Sequence, residues 1–486
     1  MAKAKRVSTK ARNSSPTTSK AIRVRMYRHG LGDCFLLSFP KEKPGQQCHV
    51  LIDCGLITVA KEPKQTMETV VNDVATVTKG ELDLVVMTHE HWDHVSGFSP
   101  QQAQGIFDGI KTIKQVWYAW TENPDNKLGR QLRHEREAKA KAVQTAAIKL
   151  SAANSKRGEQ LGSLLGFLGI DTADLVAAKA NGIGKVREAF MYMSTRAPIR
   201  YCHPQNGPQP LSDVPGVLVY VLGPPEDEAM IKKMNPTKTG KEVYELAALT
   251  NREENIMAAL SRLDESSDSV ASDSDYPFAV SERRDPQSHP SSSLLRLKSK
   301  TWDVPAEEWR RIEHDWMMGA EDLAIALDSH TNNSCLVLAF ELIDSGRVLL
   351  FAADAQVGNW LSWQDLKWEV RNGTETRVVT GPDLLRRTVL YKVGHHGSHN
   401  ATLREKGLEQ MVHPDLMALI PVNKWQAETN RWFGMPFKAL TDRLEEKTNG
   451  RVVVSDSEQS ISANARTAFG ASLNENKLYY DLFVPM

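Results

Sequence analysis

The sequence predicts an α/β protein, and three observations predict it. Short runs rich in β-branched and apolar residues recur along the chain, Ala/Lys/Glu-rich stretches of helical character stand between them, and one continuous apolar run ends directly in a cluster of histidines and carboxylates. From Ala21 the first element is IRVRMYRH, followed by a turn at Gly30 and Gly32, then CFLLSF, a Lys/Pro/Gly loop and HVLIDCG. Three strands joined this closely predict an antiparallel start to a sheet. A helix is expected around Gln65–Val77. LDLVVMT (Leu82–Thr88) then has the length and continuous apolarity of a buried strand.

From about Arg130 to Met193 the composition turns to Ala, Lys, Glu, Gln and Leu, with REAKAKAVQTAAIKL as its clearest helical run, so a helical insertion is placed at 125–200. A strand returns at VLVYVLGPP (Val217–Pro225). Residues 264–293 are rich in Ser and Asp with little to bury, which predicts a mobile loop. The sheet pattern resumes with SCLVLAFEL, RVLLFAAD and TVLYKVGHH, and Pro436–Thr448 reads as an amphipathic helix before the strand RVVVS.

Composition bounds the function. The 486 residues, 41% of them hydrophobic and 25% charged, suffice for a large core, whether in one elaborated enzyme domain or in several. Lys plus Arg and Asp plus Glu both number 60, so no field over the whole chain favours nucleic acid, and any such binding needs a local patch. Five scattered cysteines without a CxxC pair argue against a disulfide framework or a zinc ribbon. With no apolar run near the roughly 18–20 residues that span a bilayer, and no apolar stretch behind the first charges, the expected location is cytoplasmic and no membrane partner is expected. Residues 1–20 are basic, Ser/Thr-rich and free of acids, which predicts a disordered tail.

The chemistry is carried by THEHWDH (Thr88–His94), three imidazoles and two carboxylates directly after a buried strand. In a tight loop His89 and His91 can turn toward one metal while Asp93 and His94 face a second. Imidazole nitrogen and carboxylate oxygen are the donors that bind Zn²⁺ and leave a position for water. Neighbouring histidines and acids gain nothing in a core unless paired or metallated.

HEHWDH resembles the HxHxDH signature of the metallo-β-lactamase superfamily. More narrowly, GLGDCFLL, LIDCG, NNSCLVL, FAADAQ and YKVGHHGS stand in the order found in the soluble metallo-β-lactamase domain of bacterial DNA-uptake (competence) channel proteins, over roughly Ile22–Ser99 and Gly216–Asp456. The resemblance implies an αβ/βα sandwich of two mixed sheets with outer helices, binding two divalent metal ions, Zn²⁺ first with Mn²⁺ or Fe²⁺ compatible. It implies Asp354 as the carboxylate bridging the metals, with a helix N-cap as its alternative role. It selects His396 as the last ligand, leaving His395 beside the metals or facing substrate. For the third histidine of the first metal it offers His330, in DSHTNNSCLVL, or else His203. Asp33 matches a position near the site, where it either fixes a ligand imidazole or serves a turn. Two departures, Gln356 where an acid is usual and Met435 where a histidine is usual, weaken any inference about substrate.

The implied activity is a metal-dependent hydrolase in which water held between the two metals attacks and Asp93 orients or deprotonates it. Lys392 and Ser398, flanking the HHG segment, can hold an anionic substrate oxygen, although Lys392 also fits a strand-edge charge. A phosphodiesterase or nuclease is the leading expectation, by analogy with DNA handling. Hydrolysis of a small ester, lactone, amide or nucleotide beneath the insertion is the alternative. A third reading is a metal-binding regulatory module acting through a protein partner docked on the insertion.

Overall fold

The computed structural model describes residues 21–57, 60, 62–99, 107–152, 165, 182–233, 296–297, 299–300, 304, 324–372, 375–429, 434–456 and 460–486. The expected N-terminal tail, the Ser/Asp-rich loop at 264–293 and the middle of the insertion lie outside them. The described chain is α/β, with two large mixed sheets.

The first sheet has eight strands, in spatial order Leu473–Glu475, Tyr479–Pro485, Ala21–Tyr27, Cys34–Pro40, Gln47–Cys54, Leu84–Met87, Val116–Ala119 and Ile199–Cys202. Pairing is antiparallel as far as Gln47–Cys54 and parallel beyond it. The second has seven, in the order Val452–Val454, Met417–Ile420, Thr388–Lys392, Val348–Phe351, Val337–Leu342, Val217–Gly223 and Gln209–Pro210. Its first four strands are parallel and the rest antiparallel.

The two-residue period of a strand decides which side chains meet. Ile22, Val24, Met26, Phe35, Leu37 and Phe39 of the first sheet share one buried cluster with Val219, Val221, Leu338, Phe340, Leu349 and Phe351 of the second. Ring contacts Phe35–Phe351 at 5.6 Å and Phe39–Phe340 at 5.5 Å cross between the sheets. The alternate residues pack outward. Leu36, Leu51 and Val85 meet Met67, Val70, Val71 and Val74 of the helix Pro63–Thr78, while Tyr220, Ala339 and Leu350 meet Trp360, Leu384 and Leu440 on the other side. Both faces of the central strands of each sheet are therefore dry, which is why those strands read as unbroken apolar runs.

The described ends of the insertion are the helices Lys127–Ala152 and Gly182–Arg196. They lie between Val116–Ala119 and Ile199–Cys202, neighbours in the first sheet. Sequence patterning passed over both of those short strands, and Tyr479–Pro485 as well. That last strand pairs along its whole length with Ala21–Tyr27, and Arg25 seals the contact by bonding Asp481 at 2.7 Å and Asp73 at 2.5 Å.

The topology gathers one end of the sandwich. Leu84–Met87 leads into the histidine loop, Val348–Phe351 into Asp354, Thr388–Lys392 into His395–Gly397, and Met417–Ile420 into Pro421. All four are carboxyl ends of parallel strands, the position where open α/β sheets assemble their sites.

Candidate metal centre

Thr88 leaves the first sheet and the chain turns at once into the short helix Trp92–Val95. Two glycines make that turn fit. A Cβ on Gly55 would lie 2.2 Å from the Asp93 carbonyl carbon, and one on Gly32 would lie 2.3 Å from the Gly55 oxygen. Backbone bonds Asp33 N–H to Asp93 O (2.9 Å) and Gly55 N–H to Asp33 O (3.0 Å) stitch the three segments together. Gly32 of GLGD and Gly55 of LIDCG are thus explained by close backbone approach.

Asp53 anchors the loop. This fully buried residue, in the left-handed region at φ 53°, accepts from Thr88 N–H at 2.8 Å and from Thr88 Oγ1 at 2.7 Å. It also lies 2.8 Å from His94 Nδ1. Because the Thr88 hydroxyl proton goes to Asp53, its oxygen is left to accept from His89 Nδ1 at 2.9 Å. Both imidazoles are held on Nδ1, which turns Nε2 toward the interior of the site. His89 Nε2 and His91 Nδ1 then converge at 3.1 Å.

The second sheet supplies the opposite wall. His396 is pinned through Nδ1 to Pro421 O at 2.6 Å, and its Nε2 stands 2.8 Å from Asp93 Oδ2. The N-cap of the helix after Asp354 is Gln356, so the Asp354 carboxylate is not used as a cap. Its Oδ1 accepts from His395 N–H at 3.1 Å and Lys392 Nζ at 3.3 Å, which leaves Oδ2 3.1 Å from His94 Nε2. Ala353, His395 and His396 all have positive φ (46°, 41° and 52°). Backbone strain of this kind is concentrated at functional sites.

Asp33, His94, Asp354 and His396, all buried, bring four possible ligand atoms within 4.8 Å of one another and could hold a metal ion. The donor set fits a cation. Asp93 Oδ1 and Asp33 Oδ1 are buried without a hydrogen bond, and His94 Nε2 and Asp354 Oδ2 face each other. A buried acceptor without a partner costs about 1–3 kcal/mol, so several at one point call for a positive charge.

The electrostatics agree. Burial opposes a charge on His94, yet Asp354, Asp33, Asp93 and Asp53 hold its pKa well above that of a free imidazole. His396 is raised, against burial, by Asp354 and Asp93. Burial favours a neutral Asp354, but His94, Lys392 and His396 keep its pKa well below the usual carboxylate range. His91, governed by burial, falls to about 3, and His89 is lowered well below its ordinary value by burial and by His94. Neutral imidazole is the ligand form.

Other residues expected at the site sit differently. Lys392 is on a central strand, not an edge, and is 1% exposed. Its ammonium is engaged by Ala353 O at 2.8 Å, Asp354 and Asp33, so it braces the centre rather than reaching a substrate. Asp33 is that lysine's partner, and the imidazole-fixing role considered for it belongs to Asp53. His395 is outside the four-residue group. Its Nδ1 lies 2.8 Å from Ser398 Oγ and 3.2 Å from Gln356 Nε2, and Ser398 is buried in that contact. His203 bonds Glu226 at 2.6 Å and stacks on Trp120, away from the centre.

His330 is likewise not among the four. It lies in the helix 324–333 with Nδ1 3.3 Å from Lys139 Nζ. From the same turn Asp328 faces the centre instead, with Oδ1 3.8 Å from His91 Nε2 and Oδ2 accepting from Asn332 Nδ2 at 3.1 Å. Burial and the nearby Asp354 and Asp93 push the Asp328 carboxyl up to about 8. Asp53 and Asp328 were both missed in the sequence, although LIDCG and DSHTNNS contain them.

Such a site could hold a metal ion on nitrogen and oxygen donors, with the Asp93 carboxylate beside it. Compared with family models, curated proteins and solved structures, the chain matches none.

Proposed function

We propose that this chain is a metal-dependent hydrolase of the metallo-β-lactamase superfamily, with two divalent metals and a phosphodiester, nucleic acid or smaller, as substrate. One observation carries the reading: His89 Nε2 and His91 Nδ1 converge at 3.1 Å, while His94, Asp93, His396 and Asp354 converge beside them, the His89 and His94 rings being 4.2 Å apart. Two adjoining donor groups around buried carboxylates are what a binuclear site requires. Two mixed sheets with helices outside and ligands at strand ends support the superfamily assignment, as does HEHWDH itself.

Bound divalent metals supply Lewis acidity and bring the pKa of water toward neutrality. His89 and His91 would hold one, and His94, His396, Asp354 and Asp33 the other. Nitrogen and oxygen donors of this kind take Zn²⁺ first and also accept Mn²⁺ or Fe²⁺. Asp93 keeps Oδ2 on His396 and has Oδ1 available to orient the attacking water and take its proton. Against burial, His94 and Lys392 hold the Asp354 pKa low.

A second reading, hydrolysis of a small ester, lactone, amide or nucleotide, is favoured by the insertion's helices, whose Arg136 and Arg187 bind Glu90 inside the histidine loop. The test is hydrolysis by metal-loaded protein and its Asp93→Ala variant on single- and double-stranded DNA, RNA and a small phosphodiester. Polymer cleavage that disappears in the variant and falls steeply with salt supports the nuclease. Turnover of the small ester alone supports the second reading, and metal binding without turnover removes both.

A further inference from the structure

We infer that the two helices of the insertion form a clamp that sets the geometry of the metal-binding loop, with Glu90, Arg136 and Arg187 as positioning residues for His89 and His91. The inference rests on reading these histidines as metal ligands.

Glu90 stands between the two histidines in sequence, and its carboxylate is held from outside the loop. Oε2 is 2.5 Å from Arg136 Nη2, and Oε1 is 3.2 Å from Arg187 Nη1. Arg136 belongs to the helix Lys127–Ala152 and Arg187 to Gly182–Arg196, so each half of the insertion contributes one guanidinium to the same carboxylate. Glu122, closing the short turn Trp120–Glu122, lies 3.5 Å from both arginines and completes a group of two acids and two bases.

An independent apolar contact adds to it. Val186, Ala189, Phe190 and Met193 of the second helix share a buried cluster with Trp92, Val95 and Phe98, that is, with the turn carrying Asp93 and His94. The Tyr118 hydroxyl bonds Phe190 O at 2.7 Å, tying that helix to the first sheet. The insertion leaves the sheet from Val116–Ala119 and returns to it at the adjacent Ile199–Cys202, so the clamp is fixed at both ends. A carboxylate gripped by two guanidiniums fixes the backbone on either side of it, and that backbone aims His89 Nε2 and His91 Nδ1.

The test is Zn²⁺ affinity by chelator competition and the visible spectrum of the Co²⁺-loaded protein, with the melting temperature of metal-free protein measured alongside. Glu90→Gln, Arg136→Gln and Arg187→Gln should each weaken metal binding about tenfold or more, the scale seen when residues supporting ligands are removed. The Co²⁺ spectrum should change, the metal-free melting temperature should stay close to wild type, and Arg136→Lys should recover part of the affinity. Wild-type affinity and spectrum in all three Gln variants would overturn the clamp. So would an affinity loss that merely tracks a loss of metal-free stability. Should Arg136→Gln not fold, Glu90→Gln, which keeps the side-chain shape and removes only the charge, decides the question. A wild-type chain that binds no divalent metal overturns the metal-centre reading, and the clamp with it.

Discussion

His94 Nδ1 lies 2.8 Å from Asp53 Oδ2, the same oxygen that accepts the Thr88 hydroxyl at 2.7 Å, so one buried carboxylate fixes two imidazoles. Removing it should release both. Asp53→Ala is expected to lower metal affinity by about 10–100-fold, with Asp53→Asn intermediate because an amide oxygen still accepts one bond. Chelator competition measures the loss, and wild-type affinity in the alanine variant would refute the role.

Gly55 is the steric complement of that anchor. Its missing Cβ is the space occupied by the Asp93 carbonyl, 2.2 Å from where the Cβ would stand. Backbone meets backbone here, so no side chain can rotate away. Gly55→Ala should cost more than the usual 1–3 kcal/mol of overpacking, roughly, and should displace Asp93 and His94 together. The expected outcome is a lower melting temperature with metal binding lost in whatever protein folds. A variant that melts and binds as wild type would contradict the close approach.

Metal uptake should release protons. In the metal-free centre the surrounding carboxylates outweigh burial and hold the pKa of His94 well above that of a free imidazole, and His396 is raised in the same way. A cation takes the place of those protons, so the loaded form binds fewer, and affinity must rise with pH and fall as pH drops. Calorimetric titration in buffers of different ionisation enthalpy reads the proton count directly. Metal should also raise the melting temperature as its concentration rises above Kd, and a chelator should reverse it.

Much of this centre is legible in the sequence, and what is not legible has a physical cause. HEHWDH can be read because five ligand-type residues crowd one strand end, and the flanking strands because both of their faces are buried. Asp53 is illegible because its meaning lies in contacts with Thr88 and His94, 35 and 41 residues away. In the DSHTNNS segment the helical period sorts the side chains. Asp328 and Asn332, four apart, share a face and bond to each other, whereas His330, two residues on from Asp328, points to the other side and meets Lys139. Val116–Ala119 and Ile199–Cys202 have only four residues each, too few for a periodicity. It follows that His396→Ala should abolish metal binding at its group while His203→Ala and His330→Ala leave the stoichiometry unchanged. Loss of metal in the His330 variant would restore the histidine expected from the sequence.

Glu122 gives a pH-dependent test of the charges behind the loop. Burial and the neighbouring Glu90 carboxylate push its pKa up to about 7, with Arg136 opposing them. An unfolded glutamate titrates near 4.5, so between pH 4.5 and 7 the folded chain binds more protons than the unfolded one. Stability from this group is therefore fully present below pH 4.5 and is lost as pH rises through 7. Glu122→Gln removes the group that must ionise. The variant should match wild type near pH 4 and exceed it at pH 8, by about 1–3 kcal/mol, because each tenfold change in proton affinity is worth roughly 1.4 kcal/mol and the lost arginine contacts offset part of the gain. Denaturant unfolding at the two pH values measures the difference. A variant less stable than wild type at pH 8 would mean that the arginines, rather than burial and Glu90, dominate the environment of Glu122.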